Sequence, residues 1–224
     1  RDFRGAIDTW KRFHLTEGAA GLMEYDLSNY AIGYAYFKRK QAGDYTEANI
    51  AFRKFLLGTR QHDARKVADA NIRAADCYFM NRDFSQASDY YRKGIELKQV
   101  DVDYCLYQKG LCDGLNRNYE AKVDALRRIE TEHPGSNYMG AALNELADTY
   151  YRNIKDYDKA IQYYEKILKN YPNSSYTGNA LAQLGNIYYE RKQDDKAFEY
   201  YDRFVKRDSK SEAAKDVLEA IKKI

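Results

Sequence analysis

Proline is almost absent, with two residues in 224, and no stretch alternates β-branched and polar residues in the manner of a strand. Both absences argue for helices throughout. Long apolar runs are missing too: none approaches ~18 residues, so no membrane-spanning helix is expected. No signal peptide is visible at the start of the chain. Histidine is scarce, and His14, His62 and His133 are scattered with no pair four apart. Zinc-type spacing, a glycine-rich phosphate loop and a nucleophile elbow are all lacking. No catalytic, metal-ligating or cofactor-binding residue is nominated, and an enzymatic role is not expected.

Cysteine comes in an odd count of three. Cys105 and Cys112 lie about two helical turns, ~10 Å, apart on one helix, too far to bridge. Cys77 and Cys112 fall in equivalent positions of neighbouring segments, so all three read as small core residues. Free thiols sit awkwardly with an oxidising compartment. Charge of one sign is also lacking. The 37 basic and 34 acidic residues leave +3 overall, interspersed as on a solvated helical surface. This is too weak for a nucleic-acid stripe, and Lys38-Arg39-Lys40 reads as plain surface. Asp101 and Asp103, and the sequon Asn173-Ser174-Ser175, are expected to cap the helices that follow them.

Against these absences stands one well-formed stretch, Ala142–Pro172. Its first half places Ala142, Leu146, Tyr150 and Tyr151 at helical spacing, and its second half places Ala160, Ile161, Tyr164, Ile167 and Leu168 the same way. Asn153-Ile154-Lys155-Asp156 breaks the pattern between them, and Pro172 ends it. Ala147 and Ala160 are the small residues where the two helices should cross. The Ala147 position recurs as Gly33, Ala75, Gly110 and Gly185. That of Ala160 recurs as Ala6, Ala48, Ala87 and Ala197, with Lys122 the exception. That of Tyr164 recurs as Trp10, Phe52, Tyr91, Leu126 and Tyr201, and the aromatic Tyr157 as Phe3, Tyr45, Phe84 and Tyr119. The period of about 35 to 42 residues is that of a helical solenoid. Tyrosine, at 23 residues, is abundant because it fills several of these positions.

The pattern resembles the tetratricopeptide repeat (TPR) over nearly the whole chain. The resemblance implies an all-α fold, a right-handed superhelical solenoid of antiparallel helical hairpins forming one unit over 1–224. Residues 2–16 would be a second helix whose first helix is missing, with Phe3, Ala6, Trp10 and Phe13 inward. Repeats would follow at 27–60, 65–98, 102–133, 137–172 and 175–209, and 211–224 would be a capping helix. The orphan helix leads us to expect that the chain is the C-terminal part of a longer protein with more repeats or other domains upstream. In the 102–133 repeat, Lys109, Asp113 and Lys122 stand where core residues should be, which suggests a buried ion pair or triad or lysines reaching out to solvent. Asp194 replaces the usual aromatic in the last repeat, so its turn is expected to be loose.

His133-Pro134-Gly135-Ser136-Asn137-Tyr138 and Tyr171-Pro172-Asn173-Ser174-Ser175-Tyr176 precede alanine-bearing helices. With the bulky residues Phe13, Phe55, Ile129, Ile167 and Phe204, they are similar to TPR proteins of the bacterial envelope, such as outer-membrane assembly lipoproteins and the Tol-Pal-associated periplasmic factor. That style implies a periplasmic or outer-membrane-associated location, with the cytoplasm as the alternative. The family lines a groove with its first helices. Here that implies Tyr30, Tyr34 and Phe37; Ile72, Asp76 and Phe79; Tyr107 and Leu111; Asn144, Asp148 and Tyr151; and Asn186 and Tyr189. The function implied is a non-catalytic scaffold that binds a peptide segment or partner domain there, without cofactor, nucleic acid or membrane insertion. The alternatives are a regulatory or structural arm of a larger enzyme, and an RNA-binding helical repeat, which the mixed groove charges disfavour. Tyr30, Tyr34, Tyr107 and Leu111 replace the residues with which one TPR variant clamps a C-terminal carboxylate, so that mode is disfavoured too.

Overall fold

The computed structural model describes residues 2–58, 63–209 and 212–222. Among them are twelve α-helices and no strand: α1 (Phe3–His14), α2 (Met23–Arg39), α3 (Asp44–Leu57), α4 (Ala64–Met80), α5 (Phe84–Leu97), α6 (Val102–Leu115), α7 (Tyr119–Glu132), α8 (Met139–Thr149), α9 (Tyr157–Asn170), α10 (Tyr176–Glu190), α11 (Asp194–Arg207) and α12 (Glu212–Ile221). The helices expected from periodicity are all present. Only α2 departs at its start, beginning four residues before the expected Leu27. His62 and the outer ends of the expected last helix, Ser211 and Ile224, lie outside the described residues.

The chain divides into two compact units, Arg1–Ala125 and Leu126–Ile224, with the division inside α7. In the first unit each helix from α1 to α6 packs on the next, and in the second α8 to α12 do the same. This is the consecutive hairpin packing of a solenoid. The core follows the predicted slots. Ala48, Ala75, Ala87, Ala147, Ala160 and Ala197 are fully buried, as are Phe52 and Tyr164. A Cβ on Gly33 would come within 2.8 Å of the Phe52 ring, so α2 and α3 cross where only a hydrogen fits.

The intra-hairpin turns share one chemistry. The first helix ends at a basic residue in the left-handed region: Lys40 (φ 58°), Arg82 (64°), Arg117 (61°), Lys155 (65°) and Lys192 (59°). The side chain of the next residue can then cap the second helix. Asp83 accepts from Gln86 N at 3.2 Å, Asn118 from Ala121 N at 3.3 Å and Asp156 from Lys159 N at 3.0 Å. In the first hairpin three more residues follow Lys40, and Asp44 instead holds Gln41 N and the Arg39 guanidinium. The turn before α11 is not loosened by Asp194. Gln193 N reaches Tyr188 O at 2.9 Å, as Asp83 N reaches Tyr78 O and Asn118 N reaches Asp113 O, because the turn is closed by backbone groups.

The best-formed stretch carries one irregularity. Ala147 and Ala160 are thirteen positions apart, against twelve for Ala75–Ala87, Gly110–Lys122 and Gly185–Ala197. The extra residue is absorbed by a π-helical turn over Tyr150–Ile154. Two capping expectations fail. Ser175 starts α10 without a side-chain cap bond, and Thr177 Oγ1 instead reaches back to Tyr171 O at 2.9 Å. Asp101 is at the N-cap of α6 in a left-handed conformation, from which its carboxylate makes no cap bond, while Asp103 accepts from its neighbour Tyr104 N.

Arg82→Gly should relieve the left-handed cost, net of the added chain entropy, and raise stability by roughly 0.5–1 kcal/mol; an unchanged urea midpoint would contradict this. Deleting Ile154, which is 40% exposed, should restore the twelve-residue spacing. The α8–α9 hairpin should then unfold at the same midpoint or a higher one, whereas a loss above about 2 kcal/mol would mean that the π turn is required.

Candidate functional site

In three hairpins the residue after the small crossing residue accepts the hydroxyl of the second-helix tyrosine. Tyr91 donates its hydroxyl to Asp76 at 2.7 Å, Tyr201 to Asn186 at 2.7 Å, and Tyr164 to Asp148. Where the second helix offers Phe52, which has no hydroxyl, the position holds Tyr34, packed edge-on at 5.3 Å between ring centroids. A buried tyrosine hydroxyl needs an acceptor, and the first helix supplies one only where it is needed.

In the unit Arg1–Ala125 these pairs join a larger network across α2, α4 and α6. Tyr30 and Tyr34 both donate to Asp69 Oδ2, at 2.6 and 2.5 Å. Arg73 contacts Asp69 at 3.3 Å and Asp76 at 2.5 Å. Tyr104 joins Tyr91 on Asp76 Oδ1, at 2.8 Å. Burial pushes the Asp76 carboxyl above its ordinary pKa, against the pull of Arg73 and the two hydroxyls. Burial also opposes the Arg73 charge, but Asp76 and Asp69 more than offset it and hold the guanidinium firmly protonated. Tyr34, buried and bonded to Asp69, is pushed up to about 12.

Over this network lies a cavity of about 290 Å³. Phe37, Tyr45, Phe79 and Met80 form apolar walls, Lys40, Tyr104 and Gln108 contribute polar edges, and Arg73, Asp76 and Tyr91 also line it. Phe37 packs edge-on against Tyr45, and Phe79 against Phe84. The unit Leu126–Ile224 presents amides on the corresponding face. Asn179 donates to Asn144 at 2.7 Å and to Asp148 at 3.2 Å, Gln183 to Asn179 at 3.2 Å, and Asn186 to Gln183 at 3.2 Å. Among the described residues no group of three or more His, Cys, Asp or Glu could hold a metal, and no helix is long and apolar enough to cross a membrane.

Family models described as tetratricopeptide repeat match residues 68–101 and 138–209. Both segments are tetratricopeptide repeats. Comparison of the sequence with curated proteins gives no match. Among solved structures, the chain is similar to the MamA protein (21% identity, TM-score 0.69, covering 84% of this chain and 94% of that one). It is also similar to a MamA fragment from Desulfovibrio magneticus RS-1 (15%, TM-score 0.64, covering 83% and 97%). A third similar structure is YrrB, described as a TPR protein with an unusual peptide-binding site (16%, TM-score 0.63, covering 88% and 91%). At these identities the likeness is one of fold.

Of the expected groove residues, Phe37, Asp76 and Phe79 meet at the cavity, while Tyr30 and Tyr34 are half-buried on Asp69. Two expectations need correction. Ile72 is fully buried, because it packs into the space left by Gly94 on α5. Tyr151 is only 8% exposed, with its ring on Tyr157 and its hydroxyl on Glu190. Asn144, Asp148 and Asn186 belong to the amide network, and Tyr107, Leu111 and Tyr189 are partly exposed. Lys40, Arg73, Met80, Tyr104 and Gln108 were not foreseen. The spacing of Asp69, Arg73 and Asp76 at i, i+4 and i+7 is the signal that could have found Arg73. In the charged repeat, Lys109 pairs with buried Asp113 at 2.7 Å. The other Asp113 oxygen takes Ser88 at 2.7 Å, and Lys122 runs across Gly114.

Tyr91→Phe should cost roughly 1.5–3 kcal/mol at pH 7, where it removes a donor from a buried carboxylate. The raised Asp76 value means that folding takes up a proton in acid, so stability attached to this group falls as pH rises through that value. The Tyr91→Phe penalty should therefore be smaller in acid, below the raised Asp76 value, than at pH 7. Equal penalties by urea unfolding in acid and at pH 7 would show that Asp76 does not titrate between them.

Proposed function

We propose that the protein is a non-catalytic TPR scaffold that binds an extended or helical segment of a partner protein along its first helices. The cavity of the unit Arg1–Ala125 takes an apolar side chain of that segment. The observation carrying this reading is that Asp76 and Arg73, two of the three charged groups lining the cavity, are already bonded to protein partners. What the cavity offers a ligand is aromatic and thioether surface edged by Lys40. Such a site anchors a large apolar residue and favours an acidic neighbour on the ligand. Repeats of this kind form extended binding surfaces, and the fold match to YrrB is consistent with peptide binding.

The setting we propose is a bacterial envelope assembly, in the periplasm or at the outer membrane, on the basis of the two proline phrases. The cysteines are no obstacle. Cys77, Cys105 and Cys112 are free and buried, and burial pushes each thiol up to about 12, which makes them unreactive.

Panning a random peptide library against the protein should enrich sequences with a large apolar residue beside an acidic one. Met80→Glu, at a position 52% exposed, should weaken the enriched peptides by about tenfold or more, equivalent to ~1.4 kcal/mol. Its circular dichroism should be unchanged. Undiminished binding would place the site elsewhere.

A further inference from the structure

Three hairpins bring together one tyrosine from each helix, three positions after the small crossing residues. Tyr78 and Tyr90 lie 5.3 Å apart between ring centroids. Tyr150 with Tyr163, and Tyr188 with Tyr200, are near-parallel at 5.6 and 5.5 Å. A cation three residues further along the second helix covers the second ring: Lys93 over Tyr90 at 4.0 Å, Lys166 over Tyr163 at 5.6 Å and Arg203 over Tyr200 at 5.3 Å. Each second-helix tyrosine is therefore held between another ring and a cation.

In the hairpin of α2 and α3 the frame is present and the second ring is not. Tyr36 stands at the position of Tyr78, Tyr150 and Tyr188, and Lys54 at that of Lys93, Lys166 and Arg203, but Ala51 replaces the tyrosine. A cavity of about 140 Å³ lies there. Ile32, Tyr36 and Ala51 are its buried part, and Lys11, Glu47 and Lys54 stand at its exposed rim. An engineered cavity of about 150 Å³ in another protein holds benzene, so this one has room for a single aromatic ring. Lys11 Nζ donates to the Tyr36 hydroxyl at 2.8 Å, and the Arg39 guanidinium, tied to Asp44, lies 5.0 Å from the Tyr36 ring centroid. These contacts keep Tyr36 from turning into the space. His14, also at the cavity, is fixed by Ser28 at 2.5 Å and by the ring of Tyr25.

We infer that this cavity receives a tyrosine side chain from a segment of a partner protein, in the place that Tyr90, Tyr163 and Tyr200 occupy in the other hairpins. Lys54 covers the incoming ring as Lys93 covers Tyr90. Lys11 and Lys54 outnumber Glu47 at the rim, so acidic residues beside the tyrosine complement the site. Ile50, 41% exposed at the same rim, gives the flanking chain an apolar contact that a free phenol would leave in water. The site shares no lining residue with the cavity over Asp76, so either can fail without the other.

The capped tripeptide Asp-Tyr-Asp is titrated into the protein while the Ala51 methyl and Tyr36 ring resonances are followed by NMR. Both should shift saturably, and capped Asp-Leu-Asp should bind about fivefold more weakly or worse. Lys54→Glu should weaken the tyrosine peptide by a similar factor. Ala51→Tyr should complete the internal pair: its urea midpoint should equal or exceed the parent's, and the peptide should no longer bind. A lowered midpoint for Ala51→Tyr would mean that no ring fits, since overpacking destabilises, and would overturn the inference. So would unshifted Ala51 and Tyr36 resonances, equal binding of the leucine peptide, or undiminished binding to Lys54→Glu. Saturable binding of p-cresol at Ala51 by a protein that ignores the peptide would overturn it as well, since the cavity would then be a small-molecule site.

Discussion

Everything in this structure depends on how closely the two helices of each hairpin cross. Where Gly33 meets Phe52, or Ala147 lies across from Ala160, side chains are small enough for the backbones to approach and for a large aromatic to fill the space beside the crossing. A single hairpin leaves most of its apolar surface in water, so the neighbours it packs on in each unit are part of the same requirement. The turn is a consequence of the crossing. Once the distance between crossing residues is set at twelve, one left-handed residue and one cap are all that fit, and the hairpins with more residues use a π turn or a longer loop.

The crossing also dictates the polar chemistry of the first-helix face. A tyrosine beside the crossing buries its ring and delivers its hydroxyl into a dry interface, where an unmet donor costs about 1–3 kcal/mol. Asp76, Asp148 and Asn186 meet that need. Buried carboxylates then need countercharge, which Arg73 supplies to Asp76 and Asp69 together. Their hydrogen-bonding capacity is directed inward, to one another and to the tyrosines of α2, α5 and α6. The cavity above this network is bordered by Phe37, which leans on Tyr45 and faces Arg73, and by Phe79, which leans on Phe84.

The helical fold and nearly every helix were legible from the period of Ala, Gly and aromatic residues, because burial at a crossing tolerates few side-chain sizes. Residues whose environment is decided across repeats were less legible. Ile72 and Tyr151 sit at the same register as true face residues, but a glycine on α5 draws one inward and Glu190 with Tyr157 covers the other. The turn at Asp194 was misjudged because its closure rests on backbone bonds that any side chain permits. Ser175 and Asp101 failed as caps through local backbone geometry, which composition does not report.

By itself, the sequence determined the all-helical repeat architecture, the crossing residues and the burial of the three thiols, since each rests on spacing along one helix or on a size limit repeated at every crossing. Only the tertiary structure decided which face residues remain available, how Asp69, Arg73 and Asp76 are shared among four tyrosines from three other helices, and that Phe37, Phe79 and Met80 border one cavity. Those outcomes depend on distances between helices far apart in sequence, where a single glycine or hydroxyl changes which side chain turns inward.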